Sequence, residues 1–181
     1  MKKFILLLGI VFLMFSCTQA PAPADDVKED LSKENVALVK ELINAYQTED
    51  VEKIKSLLSD SVVIWGPGGE TVGIENVMKE MNGTFEALDS IKFDVFAKST
   101  ESIEEGELAG DYVLLWSTVM AYNVKFEKSF KIEMHNVYKV ADGKILMEGN
   151  YYDRVTMFKQ LGYKIVPPEG FEKEKKEKTE E

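Results

Sequence analysis

The sequence predicts an α+β domain in which helices pack on one face of a mostly antiparallel sheet. Two observations predict it. Apolar residues recur at helical spacing in three segments before Ser90 and at alternate positions beyond it, so the hydrophobic period changes from 3.6 to 2 near that residue. The second half is then punctuated by turn and cap signals, with Ala141-Asp142-Gly143 between two alternating runs and Asp153 ahead of a last helical stretch that Gly162 ends.

Each element has its own justification. Ser32 is placed to cap a first helix whose Val36, Val39, Leu42, Ile43 and Tyr46 fall on one side. Asp50 caps a second, shorter helix carrying Val51, Ile54, Leu57 and Leu58, and Val62-Val63-Ile64-Trp65 reads as a short buried strand that Gly66-Pro67-Gly68-Gly69 breaks. Ile74, Val77, Met78, Met81, Phe85 and Leu88 mark a third helix, interrupted only by Gly83. Ile91, Phe93, Val95 and Ala97 then alternate with polar residues, and Glu101 to Glu104 is available to pair with the next strand. Asp111 to Asn123, Phe130 to Val140 and Lys144 to Tyr152 complete the sheet, before a closing helix that runs to Leu161.

The strand from Asp111 to Asn123 is apolar on both faces. Tyr112, Leu114, Trp116, Thr118, Met120 and Tyr122 share one side, and Val113, Leu115, Ser117, Val119 and Ala121 share the other. An antiparallel strand with one wet face alternates more cleanly, so both sides are expected to be covered. One face meets the helices and lines a cavity. The other, with small Ser117 and Ala121, is suited to a self-complementary contact with a second copy, or to cover by the chain itself.

Composition excludes several classes of function. The chain has 181 residues, 22 Lys and Arg against 32 Asp and Glu, a formal net charge of −10, one His and one Cys. That acidic excess repels phosphate backbones, so nucleic acid is not an expected partner. One His and one Cys supply neither an internal disulfide nor a zinc cluster, and no metal or cofactor is expected. Gly66-Pro67-Gly68-Gly69 lacks the Lys-Ser/Thr of a phosphate loop, and no Gly-x-Ser-x-Gly elbow is present.

Lys2 and Lys3 precede an apolar run from Phe4 to Phe15 that ends at Ser16-Cys17 and passes into Thr18-Gln19-Ala20-Pro21-Ala22-Pro23-Ala24. This is a secretory signal layout, too short for the roughly 20 apolar residues of a spanning helix. The cysteine at its end resembles a bacterial lipoprotein signal, with Ser16 and Cys17 conforming and Met14 and Phe15 departing from the Leu and small residue that pattern prefers. The resemblance implies cleavage after residue 16, acylation of Cys17 by palmitate-like chains and a place in the cell envelope, with Thr18 favouring the outer membrane. Residues 17–31 then form a tether, residues 32–168 the folded domain and residues 169–181 a charged, solvated tail.

Asn35 to Tyr46, then Asp50-Val51 and Leu57-Leu58-Ser59-Asp60, resemble the opening of the nuclear transport factor 2-like superfamily. Asp142-Gly143-Lys144-Ile145, Glu148-Gly149-Asn150-Tyr151-Tyr152-Asp153 and Gln160-Leu161-Gly162 resemble the close of its SnoaL-like domains. The resemblance spans roughly residues 34–162 and implies a cone-shaped α+β barrel, usually dimeric, with a deep pocket between a curved sheet and the helices. Members include polyketide cyclases, a steroid isomerase, epoxide hydrolases and dehydratases, alongside proteins of no known activity, so fold alone confers no chemistry. In the cyclases a strand His and an Asp about one strand later do acid–base work. His135 aligns with that His, and the Asp position falls at Asn150, an amide that takes up no proton at neutral pH.

The expected function is therefore a lipid-anchored envelope protein whose domain binds a small, partly apolar ligand. Trp65, Trp116, Met120, Tyr122, Asn150 and Tyr151 are the expected lining, with His135 near the mouth. One alternative is an acid–base isomerase, dehydratase or hydrolase using His135 with Asp153 or Glu133, Glu133 sharing the His135 side of the strand. Asp153 is equally explained as a helix cap. A second alternative is a protein-interaction module whose cone is filled.

Overall fold

A computed structural model describes residues 24–168 of the chain. The expected signal, Cys17 and the charged tail lie outside them. The elements run α1 (Ala24–Gln47), α2 (Val51–Leu57), β1 (Leu58–Gly66), β2 (Gly69–Val72), α3 (Ile74–Ala87), β3 (Leu88–Ile103), β4 (Gly110–Asn123), β5 (Lys128–Ala141), β6 (Lys144–Tyr152) and α4 (Arg154–Gln160). The six strands form one curved, open sheet in the order β2-β1-β6-β5-β4-β3. Only β1 and β6 are parallel; every other neighbouring pair is antiparallel. This is the α+β architecture that the change of period implied, with the curved sheet that the family resemblance implied.

Local chemistry sets the boundaries. The Asp50 carboxylate accepts from the Lys53 backbone N–H at 2.9 Å and caps α2. Asp142 and Gly143 both have positive φ, 52° and 67°, the backbone a two-residue hairpin with right-handed strand twist requires. Helix α1 begins at Ala24, ahead of the expected cap at Ser32. Ser32 lies inside the helix, and its Oγ donates to Thr100 Oγ1 at 2.9 Å. The short β2 is a strand that periodicity did not reveal: Gly69 to Val72 folds back across the Gly66–Gly69 turn onto Val63 to Trp65.

The four helices of the described residues pack on the concave face. Val39 and Leu42 of α1, Ile54 of α2 and Val77 of α3 are buried against Val113 and Leu115 of β4, Tyr138 of β5 and Ile145 of β6. Each such aliphatic side chain contributes roughly 1.5–3 kcal/mol by leaving water. A second cluster, built from Ile91, Val119, Ala121, Phe130, Ile132 and Leu161, lies toward α4. The cavity sits between the two.

The faces of β4 are reversed from the assignment that put Ser117 and Ala121 outward. Ser117 is fully buried and Ala121 belongs to the inner cluster, while Trp116 stands on the opposite side. Curvature is the reason. Side chains converge on the concave side of a cone, which takes small residues where the bend is tight, and spread on the convex side, which accepts rings.

Candidate functional site

Between the sheet and α1, α3 and α4 lies a cavity of about 490 Å³. Its walls are apolar, from Met81 and Phe85 of α3, Ile91 and Phe93 of β3, Val119 of β4 and Ile132 of β5. The cone is thus hollow, not filled. Its size and lining fall in the range of small-molecule sites.

The buried polar groups gather at the inner end, while Glu70, Thr71 and Glu80 stand at the rim. Three side chains project inward from neighbouring strands: Asn136 from β5, opposite Asn150 of β6, and Glu148 of β6, opposite Tyr138. The Asn136 amide nitrogen donates to Asn150 Oδ1 at 2.5 Å, and Tyr46 of α1 donates its hydroxyl to Glu148 Oε2 at 3.0 Å. Glu148 is 4% exposed and Asn136 1% exposed. Burial raises the Glu148 carboxyl above its ordinary value, and hydrogen bonds from Asn150 and Tyr46 offset part of that rise. Burial and the charge of Glu148 together push the hydroxyls of Tyr46 and Tyr138 well up. Asn136 Oδ1, Tyr138 Oη and Ser117 Oγ are buried without a hydrogen-bond partner.

A bulge explains why Glu148 faces inward. Val140 pairs with Ile145 but Lys139 with Met147, so Leu146 is an extra residue that shifts the phase of β6 by one. Strict alternation from Ile145 would turn Glu148, Asn150 and Tyr152 outward; the bulge turns all three in. The sequence analysis did not name Glu148 as a site residue. The available signal was a lone carboxylate directly after the apolar run Ile145-Leu146-Met147.

Of the residues expected to line the pocket, the structure places Asn150 in the cavity and the others elsewhere. Trp116, His135 and Tyr151 occupy matched positions on β4, β5 and β6 and form a ladder on the convex face. The Trp116 and His135 rings stack at 4.5 Å between centroids, those of His135 and Tyr151 at 6.2 Å, and His135 Nδ1 lies 3.0 Å from the Leu115 carbonyl. His135 is one residue out of phase with the inward Asn136, and a shift of one flips the face. Glu133, also convex, accepts from Thr118 Oγ1 at 3.0 Å. Trp65 points away from the cavity, its indole N–H donating to Glu70 at 2.6 Å, while Met120 and Tyr122 border a shallow depression with Lys131 and Ser129.

Asp153 is at the N-terminus of α4, accepting from the backbone N–H groups of Val155 at 2.8 Å and Thr156 at 3.1 Å and from the Thr156 hydroxyl at 2.5 Å. The bonds from Thr156 hold its carboxyl below the ordinary value. It is a cap, and it meets neither His135 nor the cavity. Among the described residues no cluster of three or more His, Cys, Asp or Glu is placed to hold a metal.

Comparison with known proteins agrees with this architecture. A SnoaL-like domain family model matches residues 39–147. The structure is similar to a Mycobacterium tuberculosis epoxide hydrolase of the LEH-like type (21% identity, 72% of this chain, 90% of that chain, TM-score 0.58). It is also similar to a Catenulispora acidiphila protein of ketosteroid isomerase-like fold (14%, 72%, 97%, 0.60) and a Xanthomonas campestris putative polyketide cyclase (14%, 72%, 98%, 0.60). At these identities the likeness is one of fold. No curated protein sequence matches the chain. The family model covers more than half of the sequence and ends inside the strand that carries Glu148, and the chain belongs to the SnoaL-like family.

Proposed function

We propose that this chain is an envelope protein, lipid-anchored at Cys17, whose SnoaL-like domain binds a small, partly apolar molecule in the cone cavity without turning it over. One observation carries the binding reading: a hollow of about 490 Å³ with hydrocarbon walls and a small buried polar cluster, Asn136, Glu148 and Asn150, at its inner end. Such a site orients an elongated ligand, its apolar part along Phe85, Phe93 and Ile132 and its polar head against Asn136 and Glu148. The anchoring reading rests on Lys2-Lys3, the apolar run and the placement of Cys17.

Absence of turnover is favoured by how the candidate acid–base groups are distributed. His135 and Glu133 are on the far side of the sheet from the cavity, Asp153 is committed to a helix cap, and Asn150 carries no transferable proton. A second reading is favoured by Glu148. A buried carboxyl held by a tyrosine hydroxyl has the environment of a general acid or base, and it would serve an isomerase or hydrolase without any histidine.

The discriminating experiment titrates the chain from residue 17 onward, with Cys17→Ser, using the apolar fluorophore N-phenyl-1-naphthylamine, and incubates it with epoxide, steroid and polyketide-like substrates. Saturable binding with no conversion is expected. Conversion that Glu148→Gln abolishes establishes the enzyme reading, and failure to bind the fluorophore removes the ligand-binding one.

A further inference from the structure

The charged residues that line the cavity are Glu70, Glu80 and Glu148. Among the described lining residues there is no Lys, Arg or His. Arg154, whose guanidinium donates to the Pro67 carbonyl of the lining at 2.8 Å, also lies over the face of Phe158. Glu70 and Glu80 are tied at the rim to Trp65 and Thr71, respectively. Glu148 alone sits at the buried end.

The groups that meet Glu148 are Tyr46 from α1, Tyr138 from β5 and Asn150 from its own strand, with Asn136 beside Asn150; none is cationic. A carboxylate buried in hydrocarbon without a counter-charge is costly, and such a charge is ordinarily paired. The second observation is independent of the acid. Asn136 Oδ1, on a side chain only 1% exposed that lines the same cavity, has no donor. Among the lining residues the floor therefore offers two acceptors, one charged, while the donors of Tyr46 and Asn136 are already engaged.

We infer that the ligand of this cavity is a protonated amine with an apolar body, its ammonium N–H groups shared between the Glu148 carboxylate and Asn136 Oδ1. This deepens the ligand-binding reading and rests on it. An ammonium brings both the missing donors and the missing charge. The rings of Tyr46, Phe93 and Tyr152 around the cavity suit a cation as well as its hydrocarbon. A carboxylate or phosphate head meets three glutamates and no base, and is excluded. Glutamates 70 and 80 at the rim add a field that draws cations in.

The test uses three ligands of one chain length, octylamine, octan-1-ol and octanoate, each displacing N-phenyl-1-naphthylamine from the chain beginning at residue 17 with Cys17→Ser. At pH 7.5 the amine is expected to bind at least about tenfold more tightly than the alcohol, and octanoate more weakly than either. Glu148→Gln is expected to remove the amine's advantage over the alcohol, and a cooperative thermal unfolding transition like that of the wild type shows that the variant is folded. The amine's advantage in the wild type should grow as pH rises and Glu148 ionises, and should be flat in Glu148→Gln. Equal affinity for amine and alcohol in the wild type overturns the inference while leaving the ligand-binding reading intact, and needs no variant. An advantage that survives Glu148→Gln overturns it too. A fluorophore that does not bind at all overturns both.

Discussion

Tyr46 donates its hydroxyl to Glu148 at 3.0 Å, joining the end of the first helix to the last strand across 102 positions of sequence. The bond closes the floor of the cavity. It also makes the site and the fold depend on each other, because the same contact that positions the carboxylate locks α1 against the sheet.

The first prediction concerns stability and pH. Burial gives Glu148 a higher pKa in the folded chain than the ordinary 4.5, so the folded state holds this proton more tightly than the unfolded one. Its contribution is fully present below the unfolded value and is lost as pH rises through the folded one. The melting temperature of the wild type relative to Glu148→Gln should therefore be most favourable below pH 4.5 and fall as pH rises toward neutrality. Tyr46→Phe should cost about 1–3 kcal/mol by denaturant unfolding, since it leaves a buried carboxyl one donor short. A wild-type advantage that grows with pH would contradict the placement of Glu148.

The second concerns the convex face. The Trp116–His135–Tyr151 ladder stands on the side of the sheet opposite the cavity, and its Tyr151 is 56% exposed. We propose that this face pairs two copies through a two-fold contact. The chain from residue 17 with Cys17→Ser should sediment as a dimer at micromolar concentration, and Tyr151→Glu should give a monomer whose cavity still binds the fluorophore. His135→Ala should change that affinity by less than about twofold, because the ring lies across the sheet from the ligand. A monomeric wild type, or an affinity that collapses on His135→Ala, would count against the assignment.

The helices, the β3–β6 run, the Asp142-Gly143 turn and the Asp153 cap were all legible, because periodicity and turn chemistry are local. The faces were not. On β4 both sides are apolar, and only the curvature of the assembled sheet decides that Ser117 goes in and Trp116 out. On β6 an extra residue at Leu146 reverses the phase and turns Glu148 and Asn150 inward and Tyr151 outward, which the aromatic character that named Tyr151 does not reveal. Strand β2 escaped because Gly69-Glu70-Thr71-Val72 has no apolar pattern and is a strand only by pairing with β1. Site residues depend on such global phase; element identity does not.

The third prediction concerns residues outside those described. Cells producing the wild type and Cys17→Ser are fractionated. The wild type should enter the detergent-soluble membrane fraction and Cys17→Ser should not. Equal retention of both would remove the lipid anchor from the account.

The central claim is that the ligand occupies the concave cavity and not the aromatic convex face. Methionine methyl resonances report on both at once: Met81, Met134 and Met157 line the cavity, and Met120 lies outside it. In a chain labelled at methionine methyls and assigned by Met→Leu substitution, titration with N-phenyl-1-naphthylamine should shift the signals of Met81, Met134 and Met157 to a common saturation point and leave Met120 in place. Movement of Met120 with the three cavity signals unchanged would contradict the account.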